Sequence, residues 1–210
     1  MAENGAREVF GVDISDSIYI AYKNTEGSNN ITVAQGDIYH MPFSPETFDV
    51  VVCVGVLQHL PDPWGAVDEL LCYVKSGGTL VLWVYGREGN LFVRFFVEPF
   101  RKLVSRKLPL SVVLIISYIL GAIFQFVAQL IYSPLNRLNI TWLPLNSYIL
   151  YRTNFNYKMN TQMIFDQLLA PLSYLFSREE VETLCKKPGI AHFVLRHHNN
   201  NSWTAICHKK

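Results

Sequence analysis

Little in this chain would gather a polyelectrolyte. Its 18 basic and 17 acidic side chains leave a formal charge of +1, and no basic patch interleaved with aromatics is visible, so nucleic acid is not an expected partner. The four cysteines, Cys53, Cys72, Cys185 and Cys207, have neither the close pairing of a zinc site nor the density of a disulfide framework, and no metal site is expected. They sit in apolar runs and read as buried, reduced thiols. The opening residues, MAENGAREVF, lack the apolar core of a signal peptide, which with the thiols points to a cytoplasmic protein. His192, His197 and His198 lie close in sequence, but neighbours on a strand point to opposite faces, so structural or solvent-facing roles are expected for them.

What is present is organised around Phe48 to Leu60, FDVVVCVGVLQHL. Val50, Val51, Val52, Cys53 and Val54 form a continuous apolar run, the pattern of a parallel strand covered on both faces, and Gly55 ends it. Gln58 and His59 follow just past the strand's carboxyl end, where open α/β sheets bind ligands. Two readings of His59 stand side by side. It could accept a proton from an attacking hydroxyl or amine, or it could hydrogen-bond a backbone carbonyl at the strand end.

Glu8 to Asp13 reads as an earlier short strand ending in an acid, followed by helix from Ile18 to Lys23. Ile31 to Ala34 is a third strand, after which Asp37 gives a second acid at a strand end and His40-Met41-Pro42-Phe43 is a loop. A carboxylate after a strand of a nucleotide-binding sheet can accept both hydrogens of a ribose diol, which makes Asp13 a candidate; it could equally cap the next helix. Gly65 to Val74 has helical spacing at Val67, Leu70, Leu71 and Val74, Lys75-Ser76-Gly77-Gly78 is a stop, and Thr79 to Val84 is the next strand. This alternation predicts an α/β fold with a mostly parallel sheet and right-handed crossovers.

Taken together, GVDIS, GDIYHMPF, FDVVVCVGVLQHLPDP and GGTLVLWVYG resemble the class I S-adenosylmethionine-dependent methyltransferases of the group with a D-x-x-x-[LM]-P-F loop, over residues 8 to 86. The resemblance implies a Rossmann-like three-layer sandwich with S-adenosylmethionine as cofactor. By position it places Asp13 and Ile14 at the ribose, Asp37 and Ile38 at the adenine, and Val54 and Gly55 at the methionine part. Leu57 and His59 would flank the transferred methyl group, and Tyr85 would face substrate from the end of the fifth family strand. Members of that family begin with a strand and a glycine-rich turn whose bare backbone approaches the cofactor. Here Ala2 to Arg7 resemble the end of the helix after that turn, so the chain reads as truncated at its N-terminus, and weak or absent activity is expected of it as given.

The remaining chain divides into an apolar insert, 91–160, and a closing part, 161–210, after a cofactor-binding core, 1–90. Leu91 to Val104 reads as helix with Phe92, Phe95 and Phe96 on one face. Arg101, Lys102, Arg106 and Lys107 then precede about 23 uncharged residues, Leu110 to Tyr132, long enough to span a bilayer. A single crossing would separate the terminal strands, Ile190 to His197 and Ser202 to His208, from the sheet they resemble the closing antiparallel hairpin of. Ser117, Gln125 and Gln129 would also be unwelcome in lipid. A helical lid or substrate-binding insert is therefore favoured, Gly121 allowing a bend or two packed helices, with peripheral membrane contact through 110–132 as the second reading and a true span or re-entrant hairpin as the third. Trp142 to Tyr157 reads as irregular cover, with Pro144 forbidding a long helix. Asp166, before Pro171, and Tyr174 could face substrate, and Ser177 with Glu180 forms a capping box for a helix from Arg178 to Lys186.

The function these features imply is methyl transfer from S-adenosylmethionine to a small-molecule or lipid-like acceptor. Two alternatives stay open: a non-catalytic, membrane-associated relative of a methyltransferase, and a nicotinamide-dependent oxidoreductase, since an acid after the second family strand serves both cofactors.

Overall fold

The computed structural model describes residues 5–91, 93–143, 145–170, 173–198 and 200–210, without the side chains of Arg106 and Ser147. The expectations placed on Ala2 to Asn4, Phe92, Pro144, Pro171 and the Arg106 side chain lie outside the described residues. The chain divides into two compact units. Unit 1 holds residues 1–82, 182–194 and 205–210, and unit 2 holds 83–181 and 195–204.

Among the described residues six strands are present: β1 (Val9–Asp13), β2 (Ile31–Gln35), β3 (Phe48–Val54), β4 (Val74–Tyr85), β5 (Ile190–His198) and β6 (Ser202–Lys209). They form two sheets. β1 and β2 pair in parallel, Val9 opposite Ile31 through Asp13 opposite Gln35, while the other four run in the order β3-β4-β6-β5. The alternating α/β order and the terminal hairpin β5–β6 appear as the sequence implies.

In unit 1, helix α1 (Ser17–Thr25) connects β1 to β2, and α2 (Pro63–Tyr73) connects β3 to β4. The start of α2 is set chemically: Asp62 accepts from Gly65 N at 3.0 Å and Pro63 occupies the first turn, where its missing N–H has no helical partner to lose. Its apolar side buries Ala66, Val67, Leu70 and Leu71, which with Leu57, Leu80, Leu82, Leu184 and Cys207 make the core. β1 and β3 share no ladder, yet rings join their starts: Phe48 lies 5.7 Å from Phe10 and 4.9 Å from Phe43.

Two local expectations fail here. The helix does stop before Lys75-Ser76-Gly77-Gly78, at Tyr73, but the strand expected from Thr79 begins at Val74 and runs through that stretch. A side chain at Gly78 would meet the Asp49 carbonyl at 2.8 Å, so the glycine that reads as a helix stop instead lets β3 and β4 approach. Nor is β3 covered on both faces. Val50, Val52 and Val54 are 51%, 38% and 57% exposed, while Cys53 on the other face is buried. β3 is an edge strand, and α2 covers one side of it.

Unit 2 is mostly helical. After a π turn at Val93–Val97 come α3 (Glu98–Leu103), α4 (Leu110–Val127), a second π turn at Ala128–Tyr132, α5 (Ser133–Arg137), α6 (Asn146–Arg152) and α7 (Tyr157–Leu169). The helix expected over 91–104 is present, as a π stretch at Val93–Val97 that runs directly into α3. Gly121 does not bend α4; it is buried, and a side chain there would collide with Thr161 of α7. Trp142 to Tyr157 is not wholly irregular, because α6 forms once past Leu145, whose φ of 57° turns the chain. Arg152 at its end is 2% exposed. Its guanidinium donates to Asn160 Oδ1 at 2.8 Å, Asn160 O at 3.0 Å and Tyr148 Oη at 2.7 Å, so its burial is compensated by hydrogen bonds.

Helix α8 (Arg178–Cys185) begins in unit 2 with the expected capping box: Ser177 N donates to Glu180 Oε2 at 2.7 Å and Glu180 N to Ser177 Oγ at 3.3 Å. The thiol expectation holds for Cys53, Cys185 and Cys207, which are buried. It fails for Cys72, which is exposed because it lies on the side of α2 away from the core.

Candidate functional site

Unit 1 carries eight of the residues singled out by sequence. Asp13 ends β1, and the backbone continues its pairing one step further, Gly36 N donating to Asp13 O at 3.1 Å. The Asp13 carboxylate is exposed, and its Oδ1 accepts from both Ser15 N and Ser15 Oγ at 2.7 Å. Asp13 thus closes a local turn onto Ser15 and does not cap α1, whose N-cap position is Asp16; the turn engages Oδ1, and a carboxylate has lone pairs on both oxygens. Ile14 beside it is 67% exposed, and its carbonyl accepts from Gln35 Nε2 at 3.0 Å.

Asp37 lies two residues past β2. Its Oδ1 accepts from Tyr39 N at 3.1 Å and its Oδ2 is 3.5 Å from His40 Nδ1. Ile38 is half-buried. The loop these residues start is tied to the segment after β3 by Tyr39, whose hydroxyl donates to Asp62 O at 2.8 Å and accepts from Asp62 N at 3.3 Å. Tyr73 OH reinforces the same loop by donating to Met41 O at 3.3 Å. Sequence reasoning missed Tyr39 as a positioning residue; its place inside GDIYHMPF was visible, but its partner 23 positions on was not.

After β3 the chain turns at Gly55, whose φ of +74° is a conformation that side chains disfavour. Val54 is exposed, and Leu57, Gln58 and His59 follow as one 3-10 turn. Leu57 is fully buried in the core, so its side chain packs unit 1, and His59 is half-buried. Gln58 is fully buried and neither Nε2 nor Oε1 has a hydrogen-bond partner. A buried amide with both ends unmet costs free energy of about 1–3 kcal/mol per group. Burial also pushes the Cys53 thiol, on the inner side of β3, up to about 11, so it stays protonated.

The other three candidates belong to unit 2. Tyr85 ends β4 and is half-buried; burial, then the neighbouring Tyr148 hydroxyl and Asp166 carboxylate, push its pKa up. Asp166 on α7 is raised by partial burial. These two are thus brought near one another from positions 81 residues apart, as their shared electrostatics records. Tyr174 is elsewhere in the unit: its hydroxyl donates to Glu180, which also accepts from Arg87 Nη2 at 3.0 and 2.8 Å. That network braces the start of α8.

His192 stacks on His208 at 4.3 Å and His197 on Trp203 at 4.1 Å, cross-strand pairs of the terminal hairpin. No cluster of three metal-ligating side chains occurs among the described residues.

Unit 1 thus carries carboxylates at or just past the ends of two adjacent parallel strands and a glycine turn after β3. Residues 1–82 match the family described as methyltransferase domain. Over these residues the chain is similar to class I methyltransferase domains. A demethylmenaquinone methyltransferase of Staphylococcus haemolyticus is 29% identical over 108 residues, 47% of this chain and 45% of that protein. A tRNA U34 carboxymethyltransferase of Desulfotalea psychrophila is 31% identical over 93 residues, 43% of this chain and 29% of that protein. The chain thus spans less than half the length of these curated relatives. Among solved structures, a SAM-dependent methyltransferase of Thermotoga maritima superposes with a TM-score of 0.53 at 14% identity, covering 98% of this chain and 83% of that one, a likeness of fold.

S-adenosylmethionine is the cofactor of such domains, and the donor set fits its adenosine half. Asp13 and Asp37 are exposed or half-exposed acceptors at adjoining strand ends, suited to a diol and an exocyclic amine.

Proposed function

We propose that this chain transfers a methyl group from S-adenosylmethionine to a small-molecule or lipid-like acceptor. The observation that carries the reading is the pairing of the methyltransferase-domain match with carboxylates placed at the ends of both β1 and β2. When bound, the cofactor supplies a methyl group already activated as a sulfonium, so the protein's task is alignment and exclusion of water. Asp13 accepts hydrogens from the ribose diol through the oxygen that Ser15 does not use, with Ile14 against the sugar. Asp37 and the Ile38 backbone meet the adenine, held in place by the Tyr39–Asp62 link. Val54 and Gly55 line the methionine side. Leu57 backs that turn from the core, and His59 stands where a proton would leave an attacking hydroxyl or amine. Tyr85 and Asp166 are polar groups of unit 2 that share electrostatics with one another. Tyr174 keeps a bracing role through Glu180.

One curated relative is named for a quinone and another for a tRNA, and the near-neutral charge of this chain favours the small acceptor. Contact of residues 110–132 with a membrane would bring a lipid-like acceptor within reach. The test is calorimetric binding of S-adenosylhomocysteine to the 210-residue protein, with NAD as control. Micromolar binding of the first and none of the second supports methyl transfer; binding of NAD alone would replace it with the oxidoreductase alternative. Binding of neither would refute methyl transfer by the 210-residue chain.

A further inference from the structure

Helix Leu110–Arg137 of unit 2 is packed inside out for a protein surrounded by water. It is 28 residues long, about 42 Å at helical rise, and no charge occurs between Lys107 and Arg137. A core helix of that composition would be enclosed, yet only 17% of its most apolar 18-residue window is buried. The face of α4 turned inward onto α7 carries small or polar residues, Ser117 and Gly121 being buried there with Val113, and Ala128 is buried in the following π turn, which packs on α6. Ser117 Oγ satisfies itself on Val113 O at 2.8 Å, and Gly121 lets the backbone close on Thr161 and Tyr157. Tyr157 OH ties the helices by donating to Tyr118 O at 2.9 Å.

The outward face is the greasy one. Ile115, Ile119, Ile123, Phe126 and Leu130, spaced four, four, three and four apart, are each between 54% and 63% exposed, and Ser111 and Gln129 are the exposed polar groups near the two ends. Water would favour the reverse arrangement. Hydrocarbon does not, because leucine and isoleucine lose nothing facing acyl chains, and small residues then decide which side packs on protein. Charge fits the same surroundings: Lys102 and Lys107 stand exposed before the stripe and Arg137 after it. A crossing of the bilayer is disfavoured, since α7, which covers the inward face, exposes Lys158, Gln162 and Asp166.

We infer that unit 2 docks on an anionic bilayer surface, with α4 lying in the interface plane, its isoleucine, phenylalanine and leucine stripe in the acyl boundary and Lys102, Lys107 and Arg137 at lipid phosphates. This deepens the reading above by naming where a lipid-like acceptor is met, and rests on that reading for the chemistry alone.

The test is sedimentation of the full chain with vesicles of phosphatidylcholine alone or mixed with phosphatidylglycerol. The expected result is binding to the mixed vesicles that falls about tenfold or more in the Ile119→Glu/Phe126→Glu variant, weakens with added salt, and survives in a Gln162→Glu control. A Lys102→Glu/Lys107→Glu variant should lose the preference for phosphatidylglycerol. Protein that stays in the supernatant with both vesicles overturns the inference, as does a solution dimer that the Ile119→Glu/Phe126→Glu variant dissociates while no vesicle binds, which would make a second copy the cover. S-adenosylhomocysteine binding in the same preparation separates the two claims. Its presence without vesicle binding sinks the docking surface alone, and vesicle binding without it sinks the methyl donor alone.

Discussion

Replacing Asp13 by asparagine separates the two tasks assigned to that side chain. The Oδ1 atom already accepts two hydrogen bonds from Ser15, and an asparagine amide oxygen can take over both, keeping the turn. What asparagine cannot do is present a second acceptor to the ribose; its nitrogen is a donor. Loss of a hydrogen bond to a charged acceptor is worth about 1.5–3 kcal/mol, so S-adenosylhomocysteine affinity should fall by roughly 10- to 150-fold. Because Asp13 is exposed, stability should move by no more than about 0.5 kcal/mol, or roughly 1–2 °C in Tm for a chain of this size. Titration calorimetry and a thermal melt on the same samples read both. Unchanged affinity with an unchanged melt would refute the placement of the ribose at β1, and a large fall in Tm would show that the carboxylate's work is structural.

Glu180 should govern stability in acid. Desolvation opposes its charge, but hydrogen bonds from Tyr174 and Ser177 and the charge of Arg87 outweigh that and hold its pKa below the ordinary 4.5. Its contribution is therefore complete above the unfolded-state value and is lost as pH falls through the lower folded value. Glu180→Gln should cost about 1–3 kcal/mol at neutral pH and flatten the acid limb of a denaturation series; a parallel loss at every pH would contradict this. Gly121→Leu should overpack the α4–α7 contact at Thr161, costing about 1–3 kcal/mol, and a melt at or above wild type would show that the helices separate easily. With iodoacetamide under native conditions Cys72 should be the thiol modified, since Cys53, Cys185 and Cys207 are buried. Mass spectrometry that finds label on Cys53 at a comparable rate would show that β3 opens readily.

Local pattern alone determined a good deal of this protein. The parallel alternation, the acids that end β1 and follow β2, the glycine turn after β3 and the capping box of α8 are all readable because each depends on residues within a few positions of one another. What the sequence could not settle is which side of an element meets protein. An unbroken valine run does not say that β3 is an edge with Val50, Val52 and Val54 uncovered, nor does KSGG reveal that it is strand. Tyr39 looks like any loop tyrosine until the fold brings Asp62 to it, and Asp166 acquires its link to Tyr85 only when α7 forms. For residues 110–137 composition gave length and greasiness, but packing chose the inward face, placing Ser117 and Gly121 on α7 and leaving the isoleucines outside. Periodicity reports that a helix has sides; only long-range contact decides which side is covered.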